Sequence, residues 1–221
     1  NKHTVKGNKK FPANEHIGVG GVDSYDLDST TDNRGSKGAC HLYNKFNMAA
    51  PANMFVAEYA SRPPLARIFY EDVLMAAVFF GYPLLIENNK YGIVRYFESR
   101  GYEEYVMKRP DHLKSPNAAN TKTRGIPSNS VDVIQSHAQA IEAFVEEHVG
   151  INSETGDMGK MYFQRTLEDW IGYKIDNRTK YDLTISSGLA LLGAQKTKTK
   201  KKESQFNDKQ FFRRYSKEIR R

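Results

Sequence analysis

The sequence predicts an α/β domain: a mixed central sheet, three antiparallel strands followed by β-α-β units, flanked by helices. Three observations predict it. Three strand-like runs occupy residues 15–62 before any helical pattern appears. A proline-led amphipathic helix then separates them from the short, wholly apolar run "PLLIEN" at 83–88. Further helical patterns follow that run. Consecutive antiparallel strands need only tight turns, whereas a parallel neighbour needs a crossover, so this order makes a sheet of mixed direction.

Taken in order, residues 1–14 are polar and read as an arm or linker. The run "EHIGVGGVD" (15–23) is a strand that arrives at an acid, Asp23, with Asp26 and Asp28 close behind. "GACHLYNKF" (38–46) is its hairpin neighbour, and "ANMFVAEYASR" (52–62) alternates apolar and polar residues as a third strand should. Pro63 and Pro64 introduce a helix whose apolar positions Leu65, Ile68, Phe69, Val73, Leu74, Ala77 and Val78 have helical spacing, and Gly81 ends it. "PLLIEN" is a buried strand that also ends in an acid, Glu87. "YGIVRYFESRGY" reads as a helix and "EYVMKRP" as a further strand. Beyond a Pro/Asn/Lys/Thr-rich loop at 110–130, amphipathic helices are expected over 130–150 and in "MYFQRTLEDWIGY", with Trp170 and Tyr173 in the core. After a turn, "KIDNRTK", the last helix is "YDLTISSGLALLGAQ", with Asp182 in its first turn. The glycines of "GVGG" (18–21) lack the helix that must follow a dinucleotide-binding loop, and read instead as a place of close packing. One globular domain, 15–195, and a tail, 196–221, result.

Composition narrows the class. A chain of 221 residues can enclose one sizeable core. The longest apolar stretch, "VLMAAVFFGYPLLI", is interrupted by Gly81 and Pro83 and is too short to span a bilayer, so no membrane partner is expected. The single cysteine, Cys40, excludes an internal disulfide and a multi-cysteine zinc site, and reads as a small strand residue in a reducing compartment. Net charge is +7, yet residues 195–221 hold 11 Lys/Arg against 3 Asp/Glu, which leaves the globular part near neutral. Such a tail suits nucleic acid or an acidic protein surface. The six histidines show no metal spacing, and no GxxxxGK[ST] loop occurs, so this chain is not itself an ATP-driven motor.

The chemistry is in the carboxylates. Two strands that can be neighbours end in Asp23 and Glu87. A late helix opens on Asp182, where the helix dipole favours an acid and a plain capping role is the alternative. Carboxylates crowded together repel unless a proton or a cation neutralises them, and Mg²⁺ or Mn²⁺ suits an all-oxygen donor set. Two such ions about 4 Å apart clamp a phosphodiester and need no Ser, Cys or His nucleophile.

At these residues the chain resembles the nuclease domain of tailed-phage large terminases, within the ribonuclease-H-like superfamily. The matching pieces are "IGVGGVDSYDLD…GSKGA", "PLLIENNKYGIVRYFESRG" and "KYDLTISSGLALLGA", and they span about residues 15–195. The resemblance implies a ribonuclease-H-like sheet and a metal-dependent endonuclease that cuts concatemeric double-stranded DNA with low sequence specificity. Asp23, Glu87 and Asp182 would then be the catalytic, metal-binding acids, with two Mg²⁺ or Mn²⁺ ions. Asp26 stands as a further ligand or a solvent-facing acid, Asp28 as solvent-facing. The third motif departs from the family pattern. Lys180 and Tyr181 precede the acid where a His or Asp is usual, which leaves Asp176 as the alternative third ligand. Lys90, Lys108, Arg109, Lys114, Lys122 and Arg124 are expected to line a DNA groove through phosphate contacts. Implied partners are double-stranded DNA, an ATPase domain of the same full-length chain, the portal protein and the small terminase subunit. The implied location is the host cytoplasm during virion assembly. A junction resolvase or ribonuclease on the same fold, and a non-catalytic DNA- or portal-docking module, are the competing readings.

Overall fold

The structure, a computed structural model, describes residues 3–13, 16–26, 37–46, 51–110, 113, 124–127, 131–149 and 159–195. Asp28, Lys114, Lys122, most of the 110–130 loop and the tail 196–221 lie outside the described residues. The elements, in chain order, are β1 (His3–Lys6), β2 (Lys9–Pro12), β3 (Gly18–Asp23), β4 (Gly38–Asn44), β5 (Met54–Ser61), α1 (Ala66–Phe80), β6 (Leu84–Ile86), α2 (Gly92–Ser99), α3 (Val131–His148), α4 (Gln164–Gly172) and α5 (Asp182–Ala194).

The main sheet runs β5-β4-β3-β6. Its first three strands pair antiparallel, and β6 lies parallel to β3, so the expected mixed sheet with flanking helices is the observed one. Side chains alternate across a strand, and the alternation divides the interior in two. Val22 on β3, Cys40 and Leu42 on β4, and Leu84 and Ile86 on β6 pack with α1 and α2. Val19, Tyr43 and Leu85 face the other way, onto α3 and α5. Burial pushes the Cys40 thiol up to about 12, an inert strand cysteine as expected.

Local chemistry sets the ends. Helix α1 stops at Gly81, whose left-handed backbone (φ 72°) lets its N–H return to the Ala77 carbonyl. The buried face of α1 is Ala66, Phe69, Tyr70, Val73, Leu74 and Ala77. Leu65 and Ile68, expected on that face, are exposed instead, because the helix begins one residue later and its core stripe starts at Ala66. Among the described residues, no helix is long and apolar enough to cross a membrane.

Two expectations are corrected. Residues 3–12 belong to a β1–β2 hairpin closed by Gly7 and Asn8, not to a polar arm or linker. Phe11 is buried against Tyr102 and Tyr105, so that hairpin is part of the domain. The run "EYVMKRP" is not a continuous strand. A 3-10 turn takes Glu103–Tyr105, and the edge of β6 is covered piecewise. Met107 N–H donates to Leu84 O, and Ile126 N–H, from a distant segment, to Ile86 O. Gly125 (φ 77°) makes that second approach possible, since a β-carbon there would lie 2.6 Å from Ile86 O.

Candidate acid site

Register builds the site. Val22 of β3 pairs with Ile86 of the parallel β6, and Glu87 N–H continues the ladder to Val22 O at 2.9 Å. The next residues, Asp23 and Glu87, therefore come side by side at the sheet edge, on the face that also carries Val19 and Leu85. That face is covered by α5. Gly21 lets the helix lie directly on the strand: a β-carbon at Gly21 would fall 2.1 Å from Ser186 O and 2.2 Å from Ala190 N. With α5 seated so closely, its first residue, Asp182, reaches the end of β3. The glycine-rich segment thus serves close packing, as its sequence suggested.

The three acids act on one another. Asp23 is 7% exposed, and burial holds its pKa well above the usual aspartate range. The Glu87 charge, a hydrogen bond between the Asp23 and Glu87 carboxyls, and the Asp182 charge raise it further, against a lowering by Lys90. Asp182 is pushed up to about 6, first by burial and then by Asp169 and Glu87, while the Lys37 N–H, 2.9 Å from Oδ2, and Lys90 pull it down. Asn89 Nδ2 donates to Glu87 Oε1 (2.9 Å). Lys90 Nζ donates to Ser24 O (3.1 Å), which sets its charge beside the acids and not out along a groove. The Ser24 hydroxyl is enclosed with no hydrogen-bond partner among the described residues.

Behind Asp182 lies a polar clamp that the sequence did not reveal. Asp169 of α4 accepts from both the N–H and the hydroxyl of Thr184, at 2.8 and 2.9 Å. His41 of β4 is fully buried; Nδ1 lies 2.8 Å from Ser186 Oγ and Nε2 2.7 Å from Thr166 Oγ1. The Thr166 hydroxyl donates to Glu58 Oε2 at 2.6 Å, so it accepts from His41 Nε2–H. Burial, then the Arg165 charge, holds His41 neutral, its pKa lowered to about 3. Trp170 is half-buried; its Nε1–H donates to Ser187 Oγ, and its ring meets Phe55 and Phe144. Side chains of α4 and β4 thus fix the first turns of α5, and with them Asp182.

The remaining predicted residues separate. Asp26 Oδ1 accepts from Tyr70 OH (3.0 Å) and Gly92 N–H (3.1 Å), which assigns it to the start of α2. Asp26 does not figure among the charges acting on Asp23 or Asp182. Nor does Asp176, which is exposed in the 3-10 turn Ile175–Lys180. Asp182 is the acid whose charge, with that of Glu87, acts on Asp23. Arg124 does not line a groove: its guanidinium donates to the main-chain carbonyls of Glu103 and Val106. Lys108 is exposed and Arg109 half-buried.

No protein-family model, no curated protein and no solved structure matches the chain. The site must therefore be judged on its own chemistry. Among the described residues, no three His, Cys, Asp or Glu side chains already sit at ligand spacing. The acids nonetheless fit a hard cation. Burial and the Glu87 and Asp182 charges oppose ionisation of Asp23, a repulsion that a cation would relieve, and the next residue, Ser24, carries a buried hydroxyl with no hydrogen-bond partner among the described residues. Mg²⁺ needs no complete protein cage, since it keeps several waters and takes only one or two carboxylates.

Proposed function

We propose that the chain is a divalent-metal-dependent endonuclease on a ribonuclease-H-like fold, the nuclease domain of a viral DNA-packaging terminase. One observation carries this reading: acids 23, 87 and 182, far apart in sequence, share one partly desolvated electrostatic environment at a sheet edge. The order β5-β4-β3-β6, with β6 parallel to β3, supports the fold assignment. Asp23, Glu87 and Asp182 would hold Mg²⁺ or Mn²⁺. When bound, a pair of such ions supplies an activated water and stabilises the departing oxygen of a phosphodiester.

The chain's own groups have definable parts. Burial and the neighbouring Glu87 and Asp182 charges oppose ionisation of Asp23, and a bound cation would relieve that opposition. Asn89 orients Glu87, the Lys37 N–H orients Asp182, and Lys90 offsets excess negative charge before the cation arrives. Double-stranded DNA is the substrate. An ATPase domain of the same chain, the portal protein and the small terminase subunit are the partners, in the host cytoplasm.

The test is cleavage of supercoiled plasmid with Mn²⁺ or Mg²⁺. Cleavage is expected to vanish in EDTA and in D23N, with four-way junctions and RNA–DNA hybrids cut no faster than duplex. Preference for either of those substrates favours the resolvase or ribonuclease reading. The lack of preset ligand spacing favours a non-catalytic docking module instead. That reading wins if calorimetric titration finds no Mn²⁺ binding and D23N leaves any cleavage unchanged.

A further inference from the structure

Beside the acid site, and separate from it, is a cleft of about 590 Å³ between the starts of α1 and α2. Asp26, Arg67, Tyr70, Tyr91, Gly92 and Arg95 are among the residues that line it. Arg67 and Arg95 both line it, and among the described residues neither forms an ion pair with a carboxylate. The one acid in the cleft does not serve them. Its Oδ1 is held by Tyr70 OH and Gly92 N–H, and Gly92 is needed for that approach, since a β-carbon would fall 2.5 Å from Asp26 Oδ1. Arg95 lies over the Tyr91 ring at 5.8 Å, which restricts the guanidinium. Like charges in one cleft repel, and an anion between them removes the repulsion.

We infer that this cleft is a phosphate site, and that Arg67 and Arg95 grip a phosphate of a nucleic-acid strand engaged at the acids. A planar guanidinium fork matches two phosphate oxygens. Position supports the assignment: Asp26 lies three residue steps beyond Asp23, a reach of at most about 10 Å. The choice of a nucleic-acid phosphate rests on the nuclease reading; the pair of arginines in one cleft does not. The site would position the strand without reading its bases.

The test is duplex binding in EDTA, where nothing is cut, by fluorescence anisotropy of a labelled oligonucleotide. The proteins compared are the wild type, R67M, R95M, the double variant and D23N. Both arginines are exposed, so the variants should melt as the wild type does. The double variant should bind about tenfold more weakly, and each substitution should lower the slope of log K against log salt by about one. Inorganic phosphate should compete less well with duplex for the double variant than for the wild type. A duplex with a 5′-phosphate bound better than one without, a preference lost in R67M, identifies a terminal phosphate as occupant; no such preference identifies an internal phosphodiester. Unchanged affinity and salt slope in the double variant overturn the proposal. So does loss of binding to poly-glutamate with duplex binding intact, which makes the cleft a dock for an acidic protein segment. D23N keeps the two readings apart, because in EDTA it should bind duplex as the wild type does: if with Mn²⁺ it still cuts plasmid, the acid assignment fails whatever the arginine variants do.

Discussion

Gly21 is where the placement of α5 can be broken by one methyl group. A β-carbon there meets Ser186 O at 2.1 Å, Ala190 N at 2.2 Å and Leu189 C at 2.8 Å, all backbone atoms of a helix that cannot flex locally. Against an ordinary contact of 3.4 Å the shortfall is about 1.3 Å, so α5 as a whole must withdraw from β3. Overpacking of this kind costs about 1–3 kcal/mol, and rigid atoms on the receiving side put G21A at the upper end, about 3 kcal/mol. For a domain of this size that lowers the melting temperature by about 6–12 °C. Gly20 is the control. Its β-carbon would point to the opposite face and meet the flexible ends of Leu84 and Leu42, at 2.4 and 2.7 Å. G20A should cost about 1 kcal/mol and leave α5 in place. Thermal denaturation followed by circular dichroism, with a parallel Mn²⁺ titration, reads both effects: G21A should melt earliest and lose metal affinity, G20A should keep it. Equal melting of the two variants would refute the described seat of α5.

Two further outcomes follow from the same contacts. His41, neutral down to about 3 in the folded chain and ordinary when unfolded, gives the unfolded state the greater proton uptake below pH 6.5. Stability should therefore fall on acidification from about pH 6.5 towards 3, by up to about 1.4 kcal/mol per pH unit. H41Q, though less stable at neutral pH, should lack that limb in urea unfolding at pH 7, 6, 5 and 4; parallel curves would count against a buried neutral ring. R124A removes the donor to two main-chain carbonyls and should cost about 1–3 kcal/mol with no loss of duplex affinity. A weakened affinity at unchanged stability would restore Arg124 to the DNA surface.

Much of the architecture was legible because its signals are local. Period-two alternation marks β5, and Pro63 and Pro64 before and Gly81 after bracket α1. Two strands ending in acids announced Asp23 and Glu87, although only the Val22–Ile86 register makes them neighbours. What escaped is long-range or composite. The outer edge of β6 is covered by residues from two separate segments, neither long enough to carry a strand pattern of its own. Lys90 reads as one more surface lysine until Ser24 O is found beneath it. Asp169 and His41 lie on elements whose packing against α5 no local pattern announces. The β1–β2 hairpin did carry a signal, the two-residue Gly7–Asn8 turn between Val5 and Phe11, but the many lysines around it masked the pattern.

Of the elements described, α5 is the last in the chain, and it supplies both the lid over the glycine trough of β3 and one of the three acids. During synthesis the sheet can assemble while that trough is still bare, since Asp182 leaves the ribosome only after every strand among the described residues has done so. A nascent or truncated chain therefore holds two carboxylates on an uncovered strand end and no third. The three-acid cluster is thus a property of the finished fold, and a half-made protein lacks it.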